Sequence, residues 1–509
     1  MSTNKIALGP LLGVESDTLY SVCILLSGSV SDKYPKLHID DQILNPIKLD
    51  GEKFHIEIGE KVKYYFYRFE YELKNLPAEK TDINYQIKID DLAISNNNDL
   101  KSWRFSVCPK DKIPDIAFVS CNGNHDYYPT EIDPDDYKGW ERLIQEEPDY
   151  LVMAGDQIYS DTLWEKVSNV ESYVEGAVDK FNEDELHDFF IKLYIDSWSN
   201  PDMSLALAQI PNVMTWDDHD IVDGYGSFGK PFYEKLKHIF NIAKVYYELF
   251  QIRSKHNKSL INRNYDYTMC LKIRKFAFIV PDTRSHRDLW TVLNHKQYKS
   301  IANVVFNKKS LKISENDIIC FVLPVPIAYR DFSNVLEKAA FYLYDKHRKF
   351  NKKASDDLID HWDHIYHKAE QKIMLDFIFE VGESFNPKSI LIVSGDVHSG
   401  GASRITKHYK YNELRFATQL VSSPIVNESS GLMDKLKNLV TEDFKVVDNY
   451  SCNLLDFGIY PSKDFYTRNF IIVKNDGKKT VAQIFMETKN GWIGEYQNKS
   501  INRTLNDFK

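Results

Sequence analysis

The chain has 509 residues, of which 43% are hydrophobic and 13% aromatic, and this composition argues against a disordered protein. The length suffices for a large core and for two domains. The formal net charge of −10 argues against a protein that binds nucleic acid through its phosphates. It does not exclude a small anionic substrate, because the local charge of a metal ion can outweigh the global sign.

The N-terminal segment shows no targeting signal. It lacks a charged region followed by an apolar stretch, and it contains no twin-arginine sequence. No apolar run of the sequence reaches the roughly 18 to 20 residues that a membrane-spanning helix needs. We therefore expect a cytoplasmic protein with no membrane partner. The scattered cysteines indicate buried reduced thiols, with Cys121 as the exception.

Residues 1–111 predict a small all-β sandwich domain. Short apolar or alternating segments at residues 21–26, 63–70 and 84–90 are separated by polar turns. This spacing is typical of a sandwich. We expect a linker at residues 109–114.

Residues 115–509 predict a second, α/β domain, because strand-like segments now alternate with helical ones. We expect the strand-like tail to complete a sheet of this domain. The predicted helices cover residues 135–147, 183–198, 231–255 and 354–382, and the predicted strands of the tail include residues 469–473 and 480–486.

Four apolar runs of the second domain end in residues whose side chains can bind metal ions. Such runs are typical of strands buried on both faces. Side chains that follow these strands gather at one edge of a sheet, where α/β folds place their sites. Because carboxylates occur there together with His and Cys, we expect a metal centre rather than a cradle for an organic cofactor. The runs lead into Cys121, Asp156, Trp216–Asp220 and Asp396.

The Gly-Asp-x-x-Tyr motif follows the run at residues 150–154. Gly155 allows a sharp turn after a buried strand, and Asp156 would then bring a carboxylate to the strand end, where it could bridge two cations. Tyr159 reaches the same place if the chain begins a helical turn there. By itself the motif is also typical of a turn or a helix cap.

The segment Trp216–Asp220 contains three carboxylates around His219. Holding them close together is costly without a cation, because like charges repel. A solvated acidic turn is the alternative, but the preceding residues 210–215 have a buried character. Asp223 extends the same polar loop.

Further candidates follow the other strands. Asp396 and His398 are two residues apart, so an extended segment directs both side chains to the same side. The planar guanidinium of Arg284 suits either a phosphate or the ordering of a carboxylate ligand, and a structural ion pair is an alternative. A thiolate of Cys121 near metal ions would favour a softer or more oxidised ion such as iron, whereas the alternative is a buried core cysteine.

The order of these motifs over residues 115–430 resembles that of the PhoD-like alkaline phosphatases, within the calcineurin-like metallophosphoesterase superfamily. The resemblance implies an α/β (α+β) fold, in which a metallophosphoesterase sandwich core with helices on both sides follows a small all-β sandwich domain. It also implies a dinuclear or larger metal centre with Fe³⁺ and Ca²⁺, with Zn or Mn as alternatives.

The resemblance further implies roles for individual residues. Iron would be bound by Cys121, Asp156 and Tyr159, with Asp396 also in the cluster. The second, harder ion would be bound by Asp156, Asp218 and His398, where Asp218 stands in place of the metal-binding Asn of the wider superfamily. His219 matches the His that contacts substrate and protonates the leaving group, and Arg284 would neutralise phosphoryl oxygens.

Two regions extend the expected pocket. Asp223 stands where these enzymes usually have an Asn-rich continuation, so it either replaces an Asn ligand or only shapes the loop. His361 and His364 share a face of the predicted helix and would line the pocket. The alternative is a polar helix N-terminus with favourably placed acidic residues.

We therefore expect the hydrolysis of phosphate esters by a metal-activated hydroxide, most simply a phosphomonoesterase with a small phosphorylated substrate. One alternative is a phosphodiesterase or an activity of the phospholipase D type at the same site. A second alternative is a non-catalytic protein that binds metal or a carbohydrate surface and uses its N-terminal sandwich. The sequence makes no prediction about the oligomeric state.

Overall fold

The computed structural model of the protein describes most of the chain. The described residues are 5–28, 34–124, 128–161, 182–227, 230–329, 360–409, 414–428, 443–455, 464–475, 480–488, 491–492 and 503–504. Within these ranges, no helix is both long enough and apolar enough to cross a membrane.

The described part of the N-terminal segment contains strands and no helix. The strands are β1 (Lys5–Val14), β2 (Leu19–Ser27), β3 (Lys36–Ile39), β4 (Gln42–Leu44), β5 (Ile56–Ile58), β6 (Tyr64–Glu72), β7 (Thr81–Ile89), β8 (Leu92–Ala93) and β9 (Trp103–Val107). The strands predicted at residues 21–26, 63–70 and 84–90 are confirmed as β2, β6 and β7.

The rest of the described chain combines strands and helices. The strands are β10 (Ile116–Val119), β11 (Tyr150–Ala154), β12 (Asn212–Thr215), β13 (Met269–Ile273), β14 (Phe276–Val280), β15 (Ile318–Val322), β16 (Ser389–Ser394), β17 (Gly400–His408), β18 (Leu414–Val421), β19 (Asp443–Val447), β20 (Tyr450–Leu454), β21 (Asp464–Phe465), β22 (Asn469–Asn475), β23 (Thr480–Thr488), β24 (Gly491–Trp492) and β25 (Arg503–Thr504). The α-helices are α1 (Lys138–Gln145), α2 (Glu183–Trp198), α3 (Pro201–Gln209), α4 (Lys230–Tyr246), α5 (His295–Val305) and α6 (Lys368–Phe385).

The strands form two large sheets and one small sheet. The first sheet has the order β24-β23-β22-β10-β11-β12-β1-β2-β6-β5, and the second has the order β13-β14-β15-β16-β18-β17-β20-β19. In the first sheet β10, β11 and β12 are parallel, and in the second β14, β15, β16 and β18 are parallel. Every residue of β10, β11, β12, β14, β15 and β16 is buried, as the apolar runs predicted.

The N-terminal strands divide between two sheets. Strands β3, β4, β7, β8 and β9 form the small sheet, whereas β1, β2, β5 and β6 extend the first large sheet. The join is a parallel pairing of β1 with β12, with Gly13 opposite Asn212. Strand pairing therefore crosses the proposed division between residues 1–111 and 115–509, and that division stays a prediction.

The mixture of β-sheets and helices is confirmed, whereas the sandwich layout with a separate all-β domain stays a prediction. The tail completes both large sheets as expected, because β22 pairs with β10 and β18 pairs with β16. The helix predicted at residues 183–198 is confirmed as α2. Its start is set by a capping box in which the side chain of Asn182 accepts from the Glu185 N–H at 2.9 Å.

The helix predicted at residues 354–382 is interrupted, and its predicted start lies outside the described residues. Residues 354–359 lie outside the described part of the chain, residues 361–367 form turns, and α6 begins at Lys368. The turns use local hydrogen bonds that compete with a helix, including one between His367 Nδ1 and the carbonyl of His361 at 3.1 Å. His361 and His364 therefore do not share a helical face.

Candidate metal centre

The site lies where strand ends of the two large sheets meet, and not at the edge of one sheet as the sequence analysis expected. Gly395, after β16 of the second sheet, marks the contact. A Cβ atom at this position would lie 2.3 Å from Ser120 Oγ and 2.7 Å from the carbonyl oxygen of Ala154, both in the first sheet. Only glycine allows this close approach, which brings the residues after β10, β11 and β12 next to those after β16.

Four carboxylates cluster at this contact. One oxygen of each of Asp156, Asp217, Asp218 and Asp396 lies within 4.8 Å of the others. Asp396 is half-buried and the other three are buried. Burial and the neighbouring carboxylates raise the pKa of Asp156 and of Asp396 well above the usual range. Burial raises the pKa of Asp217 to about 7, although Arg284 opposes the shift.

The cluster fits a bound cation. Oδ1 of Asp156 and Oδ2 of Asp217 are buried and have no hydrogen-bond partner among the residues that the structure describes. Buried polar atoms without a partner are rare in proteins, and carboxylate oxygens are the ligands that hard cations prefer. Asp156 and Asp218 also form a second group with His219, again within 4.8 Å. The two groups share Asp156 and Asp218, so these two carboxylates lie at the centre of the cluster.

Four of the predicted ligands have an unusual backbone conformation. Cys121, Asp156 and Asp396 have φ angles of 54°, 55° and 62°, in the left-handed region that non-glycine residues rarely adopt. His398 has a φ of 46°. Such strain persists where the surrounding structure imposes it, and it is concentrated at functional sites. The strand ends thus direct these side chains into the cluster at a cost in backbone energy.

Cys121 lies beside the carboxylates, as the resemblance implies. Its Sγ is 3.4 Å from Oδ2 of Asp156 and 2.9 Å from Oγ of Ser423. Burial, together with the charge of Asp156, raises the pKa of the thiol well above the usual range. A thiolate at this position would therefore need the charge of a neighbouring cation.

Tyr159 and His398 are also brought to the cluster. The hydroxyl of Tyr159 is 3.3 Å from Nε2 of His398, and its ring stacks on His219 with 4.4 Å between the centroids. Burial raises the pKa of Tyr159, and Cys121 and Asp156 raise it further. The structure therefore places all six predicted metal ligands around one site, and their binding of metal stays a prediction.

His219 has a carboxylate partner that the sequence analysis missed. Nδ1 of His219 lies 2.6 Å from Oδ2 of Asp161, and the backbone N–H of Asp223 donates to Oδ1 of the same residue at 2.8 Å. Burial alone would lower the pKa of His219, but the charges of Asp161 and Asp218 raise it well above the usual range. This contact uses the backbone of Asp223, so the two predicted roles of its side chain, a metal ligand or a shaper of the loop, stay predictions. The only signal for Asp161 was its position two residues after Tyr159.

Arg284 is fully buried and orders the carboxylates. Its Nε donates to Asp217, its Nη2 donates to Asp218 at 3.3 Å, and its Nη1 donates to the carbonyl of Tyr225 at 2.9 Å. Two further bonds go to Asp360, at 2.9 and 2.7 Å. These five hydrogen bonds match the five N–H groups of a guanidinium. The geometry favours the ordering of ligands over the predicted contact with phosphate.

Asp220 connects the two acidic motifs. Its carboxylate accepts from the backbone N–H groups of Gln157 and Asp217, at 3.1 and 2.9 Å, and from the side chain of Gln251 at 2.8 Å. These contacts fix the chain after β11 against the chain after β12. Asp220 is one of the three carboxylates around His219 that the sequence indicated as a possible metal site, but its contacts are those of a structural residue.

The histidines before α6 are less closely connected to the cluster. His364 is buried, and its Nδ1 accepts from the backbone N–H of Tyr366 at 3.3 Å. Burial lowers its pKa to about 4, so the imidazole is neutral near pH 7. The place of His361 and His364 in the pocket stays a prediction.

The fold and the site indicate the class of hydrolase that the sequence resembles. Residues 148–349 match the model of the family described as PhoD related phosphatase. This segment contains the Gly-Asp-x-x-Tyr, Trp-Asp-Asp-His-Asp and Asp-Thr-Arg motifs but not Cys121, Asp396 or His398. The match confirms the predicted resemblance to PhoD-like phosphatases and, with it, the resemblance to metal-dependent phosphatases as an enzyme class.

The chain is also similar to particular proteins. A solved structure of PhoD has a TM-score of 0.57 and 16% identity, over 97% of this chain and 92% of that chain, and shows a shared fold. A purple acid phosphatase from yellow lupin (Lupinus luteus) seeds has a TM-score of 0.46 and 11% identity, over 94% of this chain and 71% of that chain. An uncharacterized protein of Saccharomyces cerevisiae is 25% identical over an alignment of 441 positions, which covers 73% of this chain. The match spans 61% of the length of that relative.

Proposed function

We propose that this protein hydrolyses phosphate esters at a metal centre held by the clustered carboxylates. The observation that carries the proposal is the cluster of Asp156, Asp217, Asp218 and Asp396, in which two buried oxygens have no partner. The family match over residues 148–349 supports the reaction class. The finer proposal is a phosphomonoesterase that acts on a small phosphorylated substrate.

The donor set supports two ions of different character. Cys121 and Tyr159, next to Asp156, suit a ferric ion, whereas the remaining carboxylates suit a hard ion such as Ca²⁺. The centre would supply a Lewis acid for the phosphoryl oxygens and activation of the attacking water. Arg284 holds Asp217 and Asp218 in the geometry that these ions require.

The protein itself supplies the proton for the leaving group in this proposal. Asp161 binds Nδ1 of His219 and orients the imidazole towards the substrate in this proposal. Burial alone would lower the pKa of His219, but the charge of Asp161 raises it, which favours the imidazolium that donates to the departing oxygen. The stacked ring of Tyr159 limits the rotation of the imidazole.

Turnover of two nitrophenyl esters tests the proposal. Faster hydrolysis of p-nitrophenyl phosphate than of bis(p-nitrophenyl) phosphate would support a phosphomonoesterase, and the reverse order would make the protein a phosphodiesterase. Asp156→Asn should lose bound metal and turnover together, whereas Asp82→Asn, at an exposed position of β7, should change neither. Full turnover with normal metal content in Asp156→Asn would contradict the proposal.

A further inference from the structure

Asp360 is a buried carboxylate that joins three segments around the metal centre. It accepts from Nη1 and Nη2 of Arg284 at 2.9 and 2.7 Å, and from Oγ of Ser227 at 2.5 Å. Nη2 of Arg287 lies 3.0 Å from its Oδ1. The loop after β12, the loop after β14 and the segment before α6 thus meet at one side chain.

Arg284 transmits this contact to the cluster. Its adjacent edge binds Asp217 through Nε and Asp218 through Nη2, and Nη2 also donates to Asp360. Because a guanidinium is planar and rigid, a displacement of the edge that faces Asp360 displaces the edge that faces the two ligands. The orientation of Asp217 and Asp218 therefore depends on a residue that is not in the cluster.

Asp360 also balances charge. Arg287 is fully buried, and its Nε and Nη1 have no hydrogen-bond partner. In the part of the chain that the structure describes, Asp360 is the only carboxylate within ion-pair distance of Arg287. Without Asp360, the buried guanidinium groups of Arg284 and Arg287 would repel each other and any cation in the cluster. A buried charge without a partner is strongly unfavourable.

We propose that Asp360 is a positioning residue, which sets the metal affinity of the centre through Arg284 without contacting the metal. The inference rests on the proposed metal centre, but not on which ester the protein hydrolyses. Partners of metal ligands that lie one contact away typically change metal affinity or activity about 10- to 100-fold when they are removed. Asp360 lies one contact further from the ligands than such a partner does. The group between them, the guanidinium of Arg284, is rigid, so we expect an effect of the same size.

The test is the binding of Mn²⁺ to the metal-stripped full-length protein, measured by the electron paramagnetic resonance signal of the free ion. In Asp360→Asn, which keeps the size of the side chain and removes its charge, we expect Mn²⁺ to bind about 10- to 100-fold more weakly. Ser227→Ala removes one hydrogen bond of Asp360 and no charge, so we expect a smaller loss in the same direction, about fivefold.

Glu370→Gln is the matched control. Glu370 is a buried carboxylate near the start of α6 that accepts from the backbone N–H groups of Val292 and Leu293, at 2.7 and 2.6 Å. The Glu370→Gln substitution weakens these hydrogen bonds, so it should lower the melting temperature, and it should leave the Mn²⁺ affinity unchanged. Wild-type affinity in a folded Asp360→Asn overturns the proposal, as does wild-type affinity in Ser227→Ala if Asp360→Asn does not fold. A wild-type protein that binds Mn²⁺ but hydrolyses no ester would contradict the proposed function alone.

Discussion

Nδ1 of His219 lies 2.6 Å from Oδ2 of Asp161, and a ring nitrogen of His219 lies within 4.8 Å of carboxylate oxygens of Asp156 and Asp218. Oδ1 of Asp161 is held by the backbone N–H of Asp223 at 2.8 Å. The carboxylate therefore fixes the orientation of the imidazole, and its charge raises the pKa of His219 against the effect of burial. A base fixed in this way by a second group is typical of acid–base catalysis.

Removing the charge of Asp161 should impair the leaving-group step. In Asp161→Asn we expect kcat to fall about 100-fold for phenyl phosphate, because its basic leaving group needs a proton. The loss should be much smaller for p-nitrophenyl phosphate, whose leaving group is stable as an anion. Steady-state kinetics with both esters checks this, with metal content as the control. An equal loss with both esters would refute the role of His219 as an acid.

Gly395 should tolerate no side chain. In Gly395→Ala the new Cβ meets Ser120 and the carbonyl of Ala154, so we expect the free energy of unfolding to fall by about 3 kcal/mol and metal to be lost. Gly51→Ala is the control, because no atom lies within 4 Å of its Cβ position and only its φ of 53° opposes the change. Chemical denaturation of both variants measures the difference. Equal stability of the two would argue against a contact between the sheets at Gly395.

Buried neutral histidines before α6 should make the fold sensitive to acid. Burial, with Arg287 nearby, lowers the pKa of His367 from 6.5 to about 4. The unfolded chain therefore takes up a proton before the folded protein does, and the stability that is present above pH 6.5 is lost as the pH falls towards 4. His367→Gln should flatten this part of the stability curve. Chemical denaturation at pH values between 4 and 6.5 measures the free energy of unfolding of both proteins. The same pH dependence in the variant and in the wild type would contradict the assignment.

Local sequence signals predicted the elements that depend on local interactions. The apolar run at residues 150–154 and the helix at residues 183–198 have the predicted bounds, because strand burial and the capping box of Asn182 leave few alternatives. The helix predicted at residues 354–382 is not continuous, because hydrogen bonds among residues 361–367 replace a helical turn.

The site was predictable only in part, because some of its features depend on local sequence and others depend on contacts between distant segments. Cys121, Asp156 and Asp396 each follow an apolar run, so their strand-end positions were readable. The contact at Gly395, by contrast, depends on how two sheets pack. Asp360 lies in the polar segment whose histidines were predicted to line the pocket, but its own role was not readable, because it arises from partners 76 and 133 residues away in the chain.

The most direct test of the metal centre is elemental analysis of the freshly purified protein together with its visible absorption spectrum. We predict at least two metal ions per chain, with iron among them and a charge-transfer band that Tyr159→Phe abolishes. Zinc or manganese without colour would keep the centre but contradict the iron assignment of Cys121 and Tyr159. No bound metal, even after incubation with Fe³⁺ and Ca²⁺, would contradict the metal centre itself.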